Sequence, residues 1–391
     1  MEYDYIIIGA GISGLYTGYL IKKNNPNSKI LILESNNYIG GRMGIDTFYS
    51  TRITTGAGIG RKNEDKNLIK LLNELKIIYT EFRINTILAE NITEIDIKKI
   101  MKQLKTEYET NKDIKKPLKF KTFATEILGA KLYKNFLINS GYHDYENEDA
   151  YSVLTDYHME YNTSGWIGLS IPWDELINKL VNVIDKKNIK LKSTVTKVNT
   201  IDNEVHINNH LYIYKKLVFA TTISSIEKLL KIPMYKQIKG QPFLRIYAKI
   251  NSDYIDIMKE KVSKMLIVST LLYKIIPMNP NKGIYMIGYT DNNGAETLNK
   301  HIEDKKYIEE MLAKSIDVPK IVIDKLKHYY WKEGTHYFKP YKFNKTEFIN
   351  KAQHPKNNIF VVGECISEDQ GWTEGAITSV NNIIDKIIKN N

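Results

Sequence analysis

The sequence predicts an α/β protein: a parallel, helix-flanked sheet assembled from both ends of the chain, with an α+β unit inserted into it. Three observations predict this. An apolar, β-branched run from Tyr3 to Ile8 passes straight into Gly9-Ala10-Gly11-Ile12-Ser13-Gly14. A second apolar run, Lys29 to Leu33, closes on Glu34. A third, Asn358 to Val362, closes on Gly363-Glu364. Short apolar runs bounded by glycine and alternating with helical patterns read as buried parallel strands.

The first element is the strand Tyr3 to Ile8. Leu15 to Lys23 follows as a helix, ended by Asn24-Asn25-Pro26-Asn27. Gly9 permits the tight turn between them. Gly11 lets the backbone approach a pyrophosphate, and Gly14 lets the helix pack on the strand. A diphosphate then lies at the helix N-terminus, where free N–H groups and the dipole favour anions. Glu34, at the end of the second strand, is placed to accept hydrogen bonds from ribose hydroxyls and to repel a 2′-phosphate. A glycine triplet alone is weak evidence. With strand, helix, strand and acid in order it marks a Rossmann-type dinucleotide site, with Gly9, Gly11, Ile12, Ser13, Gly14, Glu34 and Ser35 as its candidate contacts.

The next segment reads Tyr38-Ile39-Gly40-Gly41-Arg42-Met43. An arginine behind two glycines can reach back to a diphosphate, adding charge beside the helix dipole. An acid, a short loop and G-G-R, then Thr54-Thr55-Gly56-Ala57-Gly58-Ile59-Gly60 and a helix over Asn67 to Leu75, resemble the flavin-containing amine oxidase family. That family includes monoamine, polyamine and L-amino-acid oxidases. The resemblance implies that Gly41 and Arg42 contact FAD, and that the backbone at Gly56, Ala57 and Gly58 passes close to the flavin.

The far end resembles the same family. After Gly363-Glu364-Cys365 comes Gly371-Trp372-Thr373-Glu374-Gly375-Ala376, then a helix predicted over Ala376 to Lys389. The resemblance implies that Gly363 and Glu364 bind FAD, Glu364 through a ribityl hydroxyl. It also implies that Gly371, Trp372, Thr373 and Ala376 open a helix whose N–H groups face the flavin pyrimidine. Reduced flavin carries negative charge there, which a helix N-terminus stabilises. Cys365 reads as a small buried residue. Relatives that bind flavin covalently use a cysteine upstream of this strand. This chain has none there, so FAD is expected to be non-covalent.

In the middle, Ile171-Pro172-Trp173 introduces a helix to about Ile184. Ile189 to Val198 and Glu204 to Ile213 read as strands, and Leu217 to Thr222 returns to the nucleotide fold. By resemblance, Val195 contacts adenine. Asp96 to Leu104 reads as a helix, and Leu244 to Ile250 and Ile284 to Tyr289 as strands. The fold class that follows is an FAD-binding Rossmann-type, glutathione-reductase-like nucleotide domain (1–80, 165–230 and 340–391) with an α+β substrate domain inserted (81–164 and 231–339).

In this family the flavin does the chemistry and the protein positions an amine, often between two aromatic rings. Trp372 matches one cage position, with adenine or core packing as the alternative. The second comes from Tyr330 to Tyr337, where Trp331, His336 and Tyr337 are candidates. His336 suits a base, but reads more readily as a structural histidine. Many relatives hold a water near flavin N5 with a lysine. Arg245 stands at the matching position and keeps the charge without a readily lost proton. The alternative is that Lys249 or Lys274 serves.

Composition narrows the rest. The 391 residues carry a net charge of +11 and a single cysteine. That excludes a disulfide framework and a thiolate metal cluster, and no metal site is expected. The cysteine usage points to a reducing compartment, cytoplasmic or otherwise intracellular. Acids and early glycines at the start speak against a signal peptide, and no run reaches the roughly 18 apolar residues of a membrane span. The lysine excess reads as a solvated surface, so no nucleic-acid partner is expected. Its densest stretch, Lys112 to Lys121, reads as a loop. A small-molecule amine is the expected substrate, with oxygen reduced to hydrogen peroxide; no oligomeric state is implied. A long-range field of this sign repels cationic amines, which leaves a carboxylate-bearing substrate or a locally acidic pocket. The rivals are another flavoenzyme on this scaffold (a desaturase, a protoporphyrinogen-type oxidase or a sugar mutase), a catalytically inactive FAD-bound protein, and a nucleic-acid binder.

Overall fold

The computed structural model describes residues 2–110, 117–208 and 210–389. The first strand, Glu2–Ile8, lies between Ile30–Leu33 and His210–Phe219, parallel to both. The closing strand, Ile359–Val361, runs parallel along the other side of His210–Phe219. Both ends of the chain thus share one sheet. Its strands are apolar on two faces because helices cover both. On one face the helices Ile12–Asn24 and Trp173–Ile184 pack together, with Gly18 against Ile184 and Ile32.

A second sheet is six-stranded, in the order Ile323–Phe338, Ile238–Ile250, Ile284–Asp291, Lys274–Asn279, Met265–Ile267 and Thr86–Leu88. Helices Ile97–Thr110 and Phe120–Ser140 form a separate aromatic core around Phe120, Phe123, Phe136 and Tyr145. A small three-stranded sheet joins Gly60–Arg61, Ile167–Ser170 and Thr80–Arg83.

Several predicted elements are corrected. Ile189 to Val198 is not one strand but two short ones, Ile189–Lys190 and Lys197–Asn199. Between them the backbone bonds sideways, Lys192 N–H to Asn36 O and Ser193 N–H to Glu34 O, so it wraps the end of the second strand. Glu204 to Ile213 spans a hairpin: Glu204–Ile207 pairs antiparallel with the start of His210–Phe219. The helix predicted over Ala376 to Lys389 starts earlier, at Thr373, and breaks after Asn381 before resuming at Ile384–Ile388. The opening helix likewise starts at Ile12. Lys112, Lys115 and Lys116 lie outside the described residues, but Lys121 is helical, in Phe120–Ser140, and not in a loop. Among the described residues, no helix is long and apolar enough to cross a membrane.

Candidate functional site

The parallel strands stop level with one another: Ile8 pairs with Leu33 and with Phe219, and Phe219 pairs with Val361. Gly9, Glu34, Ala220 and Gly363 follow them and face a cleft of about 990 Å³. Ligands of open α/β sheets bind at such carboxyl ends. The cleft continues to the second sheet.

At the nucleotide end the glycines have distinct reasons. Gly9 has φ +107°, and a Cβ there would sit 2.3 Å from Ala220 O. A Cβ on Gly14 would sit 2.0 Å from Gly9 O, so Gly14 is a packing residue, and it does not line the cleft. A Cβ on Gly11 would meet nothing within 4 Å, so its bare backbone faces open space. The first helical bond runs from Leu15 N–H to Gly11 O at 2.9 Å, and no side chain caps the helix. The preceding N–H groups, those of Ile12, Ser13 and Gly14, therefore have no intrahelical acceptor. Glu34 is buried; Ala10 N–H (2.8 Å) and Asn36 N–H (2.8 Å) orient its carboxylate. Ile12, Ser13, Glu34, Ser35, Gly41 and Val195 all line this part.

A charged hub links the ends of the chain. Arg42 donates to Gly334 O at 2.8 Å and to Glu364 Oε2 at 3.0 Å. Glu364 also accepts from His336 Nδ1 (2.7 Å), His336 N–H (2.8 Å) and Gly371 N–H (2.9 Å). Burial works to raise its carboxyl, but His336, Arg42 and these donors hold it down at about 2. Both oxygens are thus occupied by protein donors, which alters the expected ribityl role: a ligand hydroxyl would compete with four of them. The Nε2 of His336 accepts from Ile223 N–H at 3.3 Å. With both ring nitrogens engaged and the ring buried, His336 does not reach the cleft. Tyr337, paired with Lys239, does not line it either. Of the three candidates in this strand only Trp331 does, its indole N–H donating to Thr55 O at 2.7 Å.

Trp372 lines the cleft at the start of the closing helix, where no side chain caps the free N–H groups. The Arg61 guanidinium lies 4.0 Å from its ring centroid. Arg61 is itself fully buried between Asp65 (2.8 Å) and Asp369 (2.9 Å); burial disfavours its charge, but these carboxylates outweigh that and raise its pKa. A Cβ on Gly375 would fall 1.8 Å from Asp369 O, so the helix start is pressed onto this loop. Gly363, Gly371, Thr373 and Ala376 line the cleft alongside. Gly56, Ala57 and Gly58 do so opposite: a Cβ on Gly56 would meet Arg42 O at 2.1 Å.

The inner end holds groups that sequence reasoning largely missed. Arg245 is buried, donates to Thr54 Oγ1, and stacks 4.4 Å from the Tyr289 centroid. Lys274, 2% exposed, sets its ammonium 3.2 Å from the Tyr142 ring centroid. Burial pushes its pKa down to about 7, against the opposing pull of Asp144 and Asp291. Tyr142 and Tyr289 meet edge to face at 5.5 Å, with Phe243 beside them. Asp144 accepts from Tyr157 at 2.5 Å, and burial raises its carboxyl. Lys249 is elsewhere, bonded to Ile250 O at 2.8 Å. No motif marks Tyr142, Asp144 or Tyr157; the only signal is a cluster of ionisable and aromatic residues after a helix. Among the described residues no group of three or more metal-ligating side chains could hold a metal ion.

Residues 7 to 75 match a family model described as an NAD(P)-binding Rossmann-like domain. Among solved structures, putrescine oxidase bound to putrescine is similar at 14% identity and a TM-score of 0.76, with 99% of each chain covered. Cyclohexylamine oxidase from Brevibacterium oxydans IH-35A is similar at 15% identity and a TM-score of 0.77, with the same coverage. An uncharacterized protein, R188, of Acanthamoeba polyphaga mimivirus is 20% identical over 99% of this chain and 94% of its own length. These likenesses establish the fold: α/β, with a Rossmann-like nucleotide-binding part.

Proposed function

We propose that this protein is an FAD-dependent oxidoreductase that oxidises a small-molecule amine, with FAD held non-covalently. One observation carries the reading: two uncapped helix starts, at Ile12 and Thr373, open onto one cleft whose inner end is aromatic and polar. A single Rossmann helix suits any dinucleotide. The second helix start, far along the chain, suits a ligand with a further electron-accepting ring. The cleft is also at the upper end of the size range of small-molecule sites.

In this reading Ile12 and Ser13 hold the diphosphate through backbone N–H groups, Glu34 a ribose, and Val195 the adenine. Arg42, fixed by Glu364, adds positive charge near the diphosphate. The segment 56–58 and the residues from Gly371 to Ala376 flank the flavin. Bound FAD would take a hydride equivalent from the C–H beside an amine and pass the electrons to oxygen, releasing hydrogen peroxide. The chain does the rest. Trp331, Trp372, Phe243 and Tyr289 exclude water and orient the substrate. Arg245 holds a fixed positive charge, and Lys274 can accept or release a proton near neutrality. Cys365 is buried beside Thr221 O and its pKa is raised by burial, which disfavours attachment to flavin. Residues 1–80, 165–230 and 340–391 serve as the nucleotide domain, and 81–164 and 231–339 as the substrate domain.

Arg245 and Lys274 beside Asp144 also suit an amine that bears a carboxylate. The test is therefore an anaerobic titration of the FAD-reconstituted protein with monoamines, diamines and amino acids. Bleaching of the flavin by one class, with peroxide formed when air is admitted, is the expected result. Protein that stays colourless after reconstitution, or flavin that no amine bleaches, overturns the proposal.

A further inference from the structure

We infer that a small acid-lined cavity behind the inner end of the cleft is a hydrated proton outlet, with Glu148 as its relay, that carries the proton lost by a bound ammonium substrate to solvent. The inference rests on the amine-oxidation reading for its source of protons, but not for its hydration.

The cavity measures about 20 Å³. A polar site needs roughly 10–15 Å³ to take a water. Asp144, Tyr157, Thr335, Gln370 and Gly371 line both the cleft and this cavity, so the two are separated by no more than one layer of side chains. Two of its wall groups are orphaned acceptors. Gln241 is 4% exposed; its amide donates to Thr335 Oγ1 at 3.1 Å, yet its Oε1 has no partner. The Oε1 of Gln370 has none either. Buried acceptors require donors, and water in the cavity supplies them.

The outer wall reaches solvent. Glu368 is exposed, and the side chain of Asp156 is 37% exposed, paired with Lys345 at 2.8 Å. Glu148 lines the same cavity, and both the inner acid Asp144 and the outer acid Asp156 act on it electrostatically. Facing it are Asp144, Asp149, Asp156 and Lys345, with Tyr337, Tyr341 and His336 nearby. Burial pushes its pKa up to about 8; Lys345 opposes this, and the neighbouring acids add to it. A carboxylic acid among waters can both give and take a proton, as a relay must.

The balance is simple. An ammonium substrate must become a neutral amine before the adjacent C–H bond can break, the hydrogen leaving with both electrons while the nitrogen lone pair forms the C=N bond. The N–H bond breaks and the proton passes to the Asp144 carboxylate, which hands it to cavity water. Glu148 takes a proton on its inner side and releases its own on the outer side, toward Asp156 and Glu368. One proton reaches bulk water and no electrons move. Glu148 touches neither substrate nor cofactor, so its role is that of a relay acting through Asp144.

Two measurements test this. In the first, infrared difference spectra compare wild type with Glu148→Gln at pH 7. The expected result is a carboxylic C=O band, absent from the variant, that shifts promptly in D₂O. No such band, or one that does not shift promptly, overturns the hydrated relay whatever the substrate is. In the second, the amine that bleaches wild-type flavin is used in anaerobic stopped-flow reduction across pH. Glu148→Gln is expected to slow reduction about tenfold below neutrality, and to converge on wild type at high pH, where the amine arrives neutral. Asp156→Asn, at the half-exposed mouth, is expected to shift the same profile less. Profiles that superimpose on wild type overturn the outlet. Failure of any amine to bleach wild type counts against the amine reading instead, and the infrared result then decides the relay alone.

Discussion

Glu364 accepts four hydrogen bonds inside the protein, two of them from the side chains of Arg42 and His336. Its depressed pKa is stability that is present above the ordinary value of 4.5 and lost as pH falls toward about 2. A shift of this size corresponds to about 3 kcal/mol. Glu364→Gln is therefore expected to lower unfolding stability at pH 7 by about 3 kcal/mol, since it leaves Arg42 and His336 without their carboxylate. In urea titrations the gap to wild type should narrow as pH falls from 4.5 toward about 2; a gap that stays constant counts against the assignment. At this scale the sequence was partly legible. Glu364 and Arg42 stood in recognisable motifs, but His336 as their partner did not. Its strand shifts register against Ile238–Ile250 between Gln241 and Phe243. Trp331 and Thr335, on either side of this shift, both line the cleft, so the strand keeps one face toward it across the irregularity. His336 falls on the opposite face by alternation, and Tyr337, on the same face as Trp331, does not line the cleft.

The two helix starts are where local sequence and function meet most closely. The opening turn was readable because glycine is demanded there by backbone contact, at Gly9 and Gly14. The closing turn has the same logic at Gly375, where an added methyl would strike Asp369 O. Gly375→Ala is expected to push the closing helix off its loop, costing about 1–3 kcal/mol of stability. It should weaken FAD retention by an order of magnitude or more, measured by flavin release on gel filtration. Wild-type stability together with full retention would show that this contact does not hold the helix. Elements without such punctuation were less legible. The segment from Ile189 to Val198 has strand-like apolar spacing, yet its middle bonds to the Glu34 loop. The break after Asn381 lies within an unbroken apolar period. Tyr142, Asp144 and Tyr157 were invisible, because they meet the cleft through the packing of a helical lobe and belong to no local pattern.

On the scale of the whole molecule, the fold class was legible because both halves of the nucleotide sheet announce themselves. The inserted unit could only be described as helices and strands, since its topology depends on pairings distant in sequence. A site built from both ends has a thermodynamic signature. Ligand bound there stabilises the native state by about 2.7 kcal/mol at a hundredfold excess over Kd. Adding FAD to the stripped protein is expected to raise Tm by several degrees, with NAD giving no comparable rise. Equal rises, or none, would contradict the FAD assignment. The net charge of +11 adds a field that repels cationic substrates at long range and fades with salt.

The pairing of the closing strand with His210–Phe219, beside the first strand, bears on biosynthesis. During synthesis the glycine turn at residues 9–14 emerges long before the other wall of the pocket, which includes Gly371 and Trp372. A ligand that needs both walls of this cleft therefore meets a complete pocket only once residues 363–376 have been made, and a chain cut short before them carries half a pocket.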